Sequence, residues 1–228
     1  MLGVVAIAGC AVGSRRESTA GAAGTADSGG APGSNSGAAG PQSIEAYAAA
    51  IKARSRRTDH ESDSRVRADL AAQSASDADA CLALDAHAAA CQYSKAVATG
   101  LEARAHPPRA VGLLGSMLEH LGNADAADPN YDNAGPSRVR ALVLIRAPSW
   151  PIGPGDTDAG LAAARRAVSL QPDFPPNVLA LAEAQSKTGD EKGARESYAH
   201  ARDLAQATPP APERDDWLQE ANEGLHRK

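Results

Sequence analysis

Few side chains in this sequence could carry covalent or metal chemistry. Cys81 and Cys91 lie five residues either side of Ala86, so an antiparallel helical hairpin turning there sets them at similar height. They either form a disulfide, which needs Cα atoms about 5.5 Å apart, or pack as two small apolar thiols. His87 and Cys91 stand four apart on one helical face, but no second such pair supplies the remaining ligands of a zinc site, and no metal or cofactor is expected. No Gly-x-Ser-x-Gly, His-Glu-x-x-His or phosphate-binding glycine loop occurs. Asp156, Asp158, Asp190 and Glu191 fall at helix starts, where carboxylates cap free amides and oppose the dipole. These features point away from an enzyme and towards recognition. Arg138, Arg146, Asn177 and Glu183 either form a polar contact cluster on an inner helical face or make ordinary solvated ion pairs. Trp150 sits among Pro148, Pro151 and Pro154. It is either a rigid apolar anchor for a partner or a cover for the end of a helix pair.

These residues are set on helices. In 228 residues the apolar fraction is 43% and the aromatic fraction 3%, and alanine is by far the most frequent residue. That composition suits close-packed helices and disfavours strands, so all-β folds are set aside. The net charge of −5 gives no basic face for a nucleic-acid backbone. Ser43 can cap a helix in which Ile44, Tyr47, Ala48 and Ile51 follow helical spacing. It should end near Arg56, before a polar break from Thr58 to Ser64. Further helices are expected over 64 to 84 paired with 87 to 104, 108 to 127 with 136 to 147, 157 to 170 with 175 to 187, then 190 to 206. A final helix from Glu213 to His226 would carry a polar outer face and cap the array.

The interruptions repeat. Gly155-Asp156 and Gly189-Asp190 are 34 positions apart, and the same offset superposes Gly160 on Ala194, Ala164 on Tyr198, Ala167 on Ala201 and Leu170 on Leu204. Thirty-four residues is the tetratricopeptide period. On that pattern the glycine turns the chain, small residues let paired helices approach, and Pro172 ends the unit. The stops Leu84-Asp85-Ala86, Ala127-Asp128-Pro129 and Pro172 are instead 43 apart, so two units carry insertions, one at Ala147 to Asp156 and one near His106-Pro107-Pro108. The expected fold is all-α: a right-handed superhelical stack of tetratricopeptide-like hairpins, an α-solenoid with a C-terminal capping helix, over residues 43–228.

The amino terminus reads as an address. Residues 1–10 are almost wholly apolar, and Ile7, Ala8 and Gly9 lead into Cys10. This resembles the lipobox of bacterial lipoproteins, in which the cysteine is acylated and the peptide is cut before it. An export signal has a charged start and an apolar stretch of about 7 to 15 residues. Here only Met1 precedes the apolar run, as in a signal truncated at its start. Residues 11–42 are rich in Gly, Ala and Ser, too poor in bulky apolar side chains to offset backbone entropy, and should form a disordered tether. The expected location is the periplasmic side of a bacterial membrane, the outer membrane in particular, with the lipid as the sole membrane contact.

Gly135-Pro136-Ser137-Arg138, Arg146-Ala147-Pro148, Gly155-Asp156, Arg166-Ala167-Val168, Pro172, Pro176-Asn177-Val178-Leu179 and Leu181-Ala182-Glu183-Ala184 resemble a family of helical-repeat lipoproteins of proteobacteria. That family is similar to the T-component of tripartite ATP-independent periplasmic (TRAP) transporters. The resemblance spans about Cys81 to Ala207. It implies a periplasmic lipoprotein of tetratricopeptide hairpins, able to form a homotrimer with a central passage and to receive a substrate-binding protein. Two roles follow as expectations: a scaffold that docks another periplasmic protein or peptide, or a transporter accessory that takes a small hydrophobic ligand.

Overall fold

The computed structural model describes residues 43–227. Cys10 and the signal and tether expected over 1–42 lie outside them. The described residues form nine α-helices: α1 (Ile44–His60), α2 (Ser64–Leu84), α3 (Ala89–Ala105), α4 (Ala110–Ala127), α5 (Tyr131–Arg146), α6 (Thr157–Leu170), α7 (Pro175–Lys187), α8 (Glu191–Ala207) and α9 (Pro212–His226), with a 3-10 turn at Pro107–Arg109 before α4.

Local chemistry sets the helix starts. Ser43 Oγ accepts from Ala46 N, Asp156 from Ala159 N at 2.9 Å and Asp190 from Gly193 N at 2.9 Å, each satisfying an amide that the first turn leaves free. Pro175 and Pro212 occupy first-turn positions, where a missing N–H costs nothing. Helix α1 runs four residues beyond its expected end. Thr58 is buried there and its hydroxyl donates to Arg54 O at 2.8 Å, so a polar residue satisfies itself against its own helix. The break shrinks to residues 61–63, because Asp63 caps α2 directly.

The pairing of the helices also departs from the sequence reading. The expected pair α2 with α3 packs closely, but the later helices pair as α3 with α4, α5 with α6 and α7 with α8 rather than α4 with α5 and α6 with α7, while α1, α3, α5, α7 and α9 neighbour one another in succession. Gly189 turns the chain between the paired helices α7 and α8, as the repeat pattern places it, and Gly155 stands in the equivalent connection between α5 and α6. At Gly189 φ is +84°, a value that glycine takes without strain. Where α5 crosses α6, a Cβ on Gly160 would collide with Ile145 Cγ2, so the absent side chain sets the approach. The equivalent Ala194 in α8 is buried against Val178, Leu179 and Ala182 of α7.

Three apolar clusters run along the stack. Met117, Leu121, Val139 and Val143 anchor the first, Leu142, Ile145 and Ala164 the second, and Tyr198 and Trp217 the third. Trp217 of α9 meets Phe174 edge to face, with centroids 5.7 Å apart, and closes the last hairpin. The chain also curls end towards end. Arg56 of α1 pairs with Glu213 of α9, and His60 lies 3.6 Å from Asp216. Contact between α3 and α5 is sparse, and that gap holds the site described next.

Candidate functional site

Two arginines organise the inner helices, Arg138 buried and Arg146 half-buried, and they do different work. Arg138 and Asn177 are 2% and 0% exposed. This corrects their assignment as partner or ligand contacts: they tie the units together from inside. At the start of α5, Asp132, Asn133 and Ala134 all take positive φ, from 50° to 59°, a left-handed conformation disfavoured for residues with a Cβ. Such a turn leaves carbonyls pointing away from any helix, and Arg138 collects them. Its Nη1 donates to Asp132 O at 3.3 Å, Asn133 O at 3.1 Å and Asn177 Oδ1 at 3.1 Å, while Nη2 donates to Asp132 Oδ2 at 3.1 Å. Lys52 and the Tyr93 hydroxyl donate to the same carboxylate at 2.8 and 3.1 Å. Asn177 Nδ2 donates to Asn133 O, Ala167 O and Gln171 O. The guanidinium lies 5.3 Å from the centre of the Phe174 ring. One network thus joins α1, α3, α5 and α7.

Arg146, at the other end of α5, faces a cavity. Its Nε donates to Glu183 Oε1 at 2.8 Å and its Nη2 to Glu183 Oε2, a two-pronged pair between α5 and α7. Its Nη1 is buried and has no hydrogen-bond partner. The cavity measures about 340 Å³ and fills the gap between α3 and α5. Gly100, Ala103, Ala110, Leu114, Met117 and Val143 give it apolar walls, and Asp59, Glu61, Arg67, Arg104 and Arg146 add charge. Most of that charge is already engaged. Arg104 pairs with Asp59 at 2.7 Å, and Arg67 donates to the carbonyls of Glu61 and Ser62 at 2.9 Å. Burial nevertheless raises the Asp59 carboxyl above its usual range, outweighing the neighbouring Arg104. The four sequence-selected polar residues therefore resolve into two separate pairs, Arg138–Asn177 in the interior and Arg146–Glu183 at the cavity.

Beside the second pair, burial raises the Glu220 carboxyl, an effect that Arg146 opposes and Glu183 reinforces. A carboxyl raised on folding stabilises the folded state below its unfolded value of 4.5, and that contribution is lost as pH rises through the higher folded value. Glu220→Gln is therefore expected to be more stable than wild type at pH 7, with the advantage vanishing near pH 4. Urea midpoints at the two pH values check this, and equal midpoints at pH 7 would count against a buried charged Glu220.

Trp150 is 86% exposed and Ile152 69% exposed, on a loop held by Gly155 N to Pro148 O at 2.8 Å and Ile152 N to Ser149 O at 3.1 Å. Trp150 covers no helix end. Cys81 and Cys91 are joined by a disulfide between α2 and α3, with Cα atoms 5.2 Å apart. Among the described residues no group of three His, Cys, Asp or Glu could hold a metal ion, and no helix is long and apolar enough to cross a membrane. Lys52, Tyr93, Asp132 and the Asp59–Arg104 pair escaped the sequence reading. The one local signal was Asp132-Asn133 ahead of Gly135-Pro136, residue types that favour turns and tolerate left-handed backbone.

Stacked antiparallel hairpins, successive inner helices and a closing terminal helix, with no strand among the described residues, define an all-α solenoid. No family model matches the chain, and no curated protein matches it. Among solved structures, it is similar to the crystal structure of a thermophilic TPR (tetratricopeptide-repeat) protein of Thermus thermophilus, with a TM-score of 0.52 and 22% sequence identity, covering 80% of this chain and 92% of that one. The fold is tetratricopeptide-like.

Proposed function

We propose that this chain is a non-catalytic, lipid-anchored periplasmic scaffold that holds a partner protein or peptide against its inner, concave helices. The observation that carries the reading is the joining of two features at one edge of the stack. The cavity between α3 and α5 reaches Ala147, and the loop leaving Ala147 raises Trp150 and Ile152 into solvent. An apolar knob beside an apolar hollow is the usual make-up of a binding hot spot. The Cys81–Cys91 disulfide supports a location outside the reducing cytoplasm, and the Cys10 lipobox supports anchoring by lipid.

A photo-crosslinking side chain at position 150, activated on cells of the source bacterium, tests the scaffold. One discrete adduct with another envelope protein is the expected result, and absence of any adduct would refute it. Intact mass of membrane-extracted protein tests the anchor, which an unmodified Cys10 would end. The cavity favours a second reading, a TRAP-associated, T-component-like accessory that receives a substrate-binding protein or a small hydrophobic ligand. Light scattering bears on it: a homotrimer is expected, and a monomer at high concentration would count against it.

A further inference from the structure

Over residues 52–60, the second half of α1 buries no apolar side chain. Its one apolar residue, Ala53, faces solvent, and the side chains it buries are those of Ser55 and Thr58. Thr58 bonds its own helix, and Ser55 Oγ has no hydrogen-bond partner among the described residues. Charge fastens the segment instead. Lys52 pairs with Asp132 of α5 at 2.8 Å, Arg54 with Asp77 of α2 at 2.6 Å, Asp59 with Arg104 of α3 at 2.7 Å, and Arg56 with Glu213 of α9. Just beyond, Arg67 of α2 holds the carbonyls of Glu61 and Ser62. No Cα atoms of α1 and α9 come within 8 Å, so side chains alone span that space.

The same stretch forms a wall of the cavity. Thr58, Asp59 and Glu61 line it together with Met117 of α4 and Val143 of α5. A segment with no buried apolar side chain opens at low cost, and partly exposed ion pairs hold weakly and are screened by salt. We infer that residues 52–62 are a lid on the cavity: fastened by ion pairs to four neighbouring helices, the lid lifts to admit a small apolar ligand, and ionic strength sets how often it does so. The inference rests on the ligand-binding reading above and adds the route of entry. Buried Ile51 keeps the preceding turn of α1 in the core and fixes where the lid begins. Asp63, which caps α2, fixes where it ends.

The experiment is hydrogen exchange of the full chain, read by mass spectrometry, at low salt and in about 1 M sodium chloride, where charges are screened within ~3 Å. Amides of residues 52–62 should exchange about tenfold faster in high salt, the effect of weakening several such pairs together, while those of α5 and α7 keep their rates. Arg56→Glu should act in the same direction at low salt by setting two carboxylates face to face, and adding Glu213→Arg should reverse most of the change. Val143→Cys, at a position 2% exposed on the cavity wall, reports entry. Its reaction with N-ethylmaleimide, located by peptide mass, should rise in step with exchange of the lid. If Arg56→Glu disrupts the fold, which exchange of α5 would reveal, the salt comparison on the otherwise unaltered chain carries the test. Equal acceleration across α5 and α7 in high salt, or none at residues 52–62, would overturn the lid. A Val143→Cys thiol that reacts at one rate whatever the lid does would overturn its gating of the cavity. Failure of 1-octanol to bind the wild-type chain in calorimetry would instead overturn the ligand reading on which the gate rests.

Discussion

Arg138→Ala should lower stability by about 3–5 kcal/mol, the cost of removing one member of a buried charged network, and should leave most of a marginally stable protein unfolded. The loss has three parts. The Asp132 carboxylate keeps Lys52 and Tyr93 but loses its most buried cation, since the Arg138 side chain is 3% exposed and that of Lys52 25%. The carbonyls of Asp132 and Asn133 lose a donor where backbone is already strained, at ~1–2 kcal/mol for each left-handed residue. Asn177 Oδ1 is left without its guanidinium in a site of zero exposure. Arg138→Lys should recover only part of this, because an ammonium cannot reach several acceptors as the planar fork does. Arg202→Ala, which removes an exposed pair with Asp203, is the control and should stay within about 0.5 kcal/mol of wild type. Urea unfolding decides the matter: a change below about 1 kcal/mol for Arg138→Ala would show that the left-handed turn holds itself.

The fold was legible because hairpin repeats write their geometry into spacing. Gly160 and Ala194 recur at the crossing of paired helices because a larger side chain there collides with the partner helix, as the position of Ile145 shows. Asp156 and Asp190 recur because each caps the second helix of its hairpin. Pairing was less legible. A solenoid packs every helix against both neighbours, and periodicity fixes the repeat length without saying where a unit begins. The candidate site was legible only as a set of residue types. Arg138 and Arg146 look alike in sequence, eight positions apart on α5, yet one meets a left-handed turn and the other a cavity. That difference is made by Asp132–Ala134 and by the gap between α3 and α5, both tertiary outcomes. Trp150 was easier, because three prolines forbid a helix around it.

Reducing the Cys81–Cys91 disulfide should cost about 2–3 kcal/mol, the chain-entropy value for a closed loop of roughly ten residues. Native contacts would change little, because the turn has other fastenings. Asp85 Oδ1 accepts from His87 N at 2.8 Å and Ala88 N at 3.1 Å, and Gln92 Nε2 donates to Ala86 O at 2.5 Å. Both cysteines are 0% exposed, so two reduced thiols stay packed where the bridge was. The effect should therefore come through the unfolded chain, which gains freedom and exposes more surface once the loop opens. This has a signature beyond a lower urea midpoint. The slope of free energy against urea should rise on reduction, since that slope follows the surface exposed. Cys81→Ala with Cys91→Ala should reproduce both changes without reductant, with a small added loss for missing sulfur contacts. Far-ultraviolet dichroism of the reduced native protein should match that of the oxidised form. A reduced protein with unchanged midpoint and slope would mean that the α2–α3 turn stays closed in the unfolded chain, held by its hydrogen bonds rather than by the bridge.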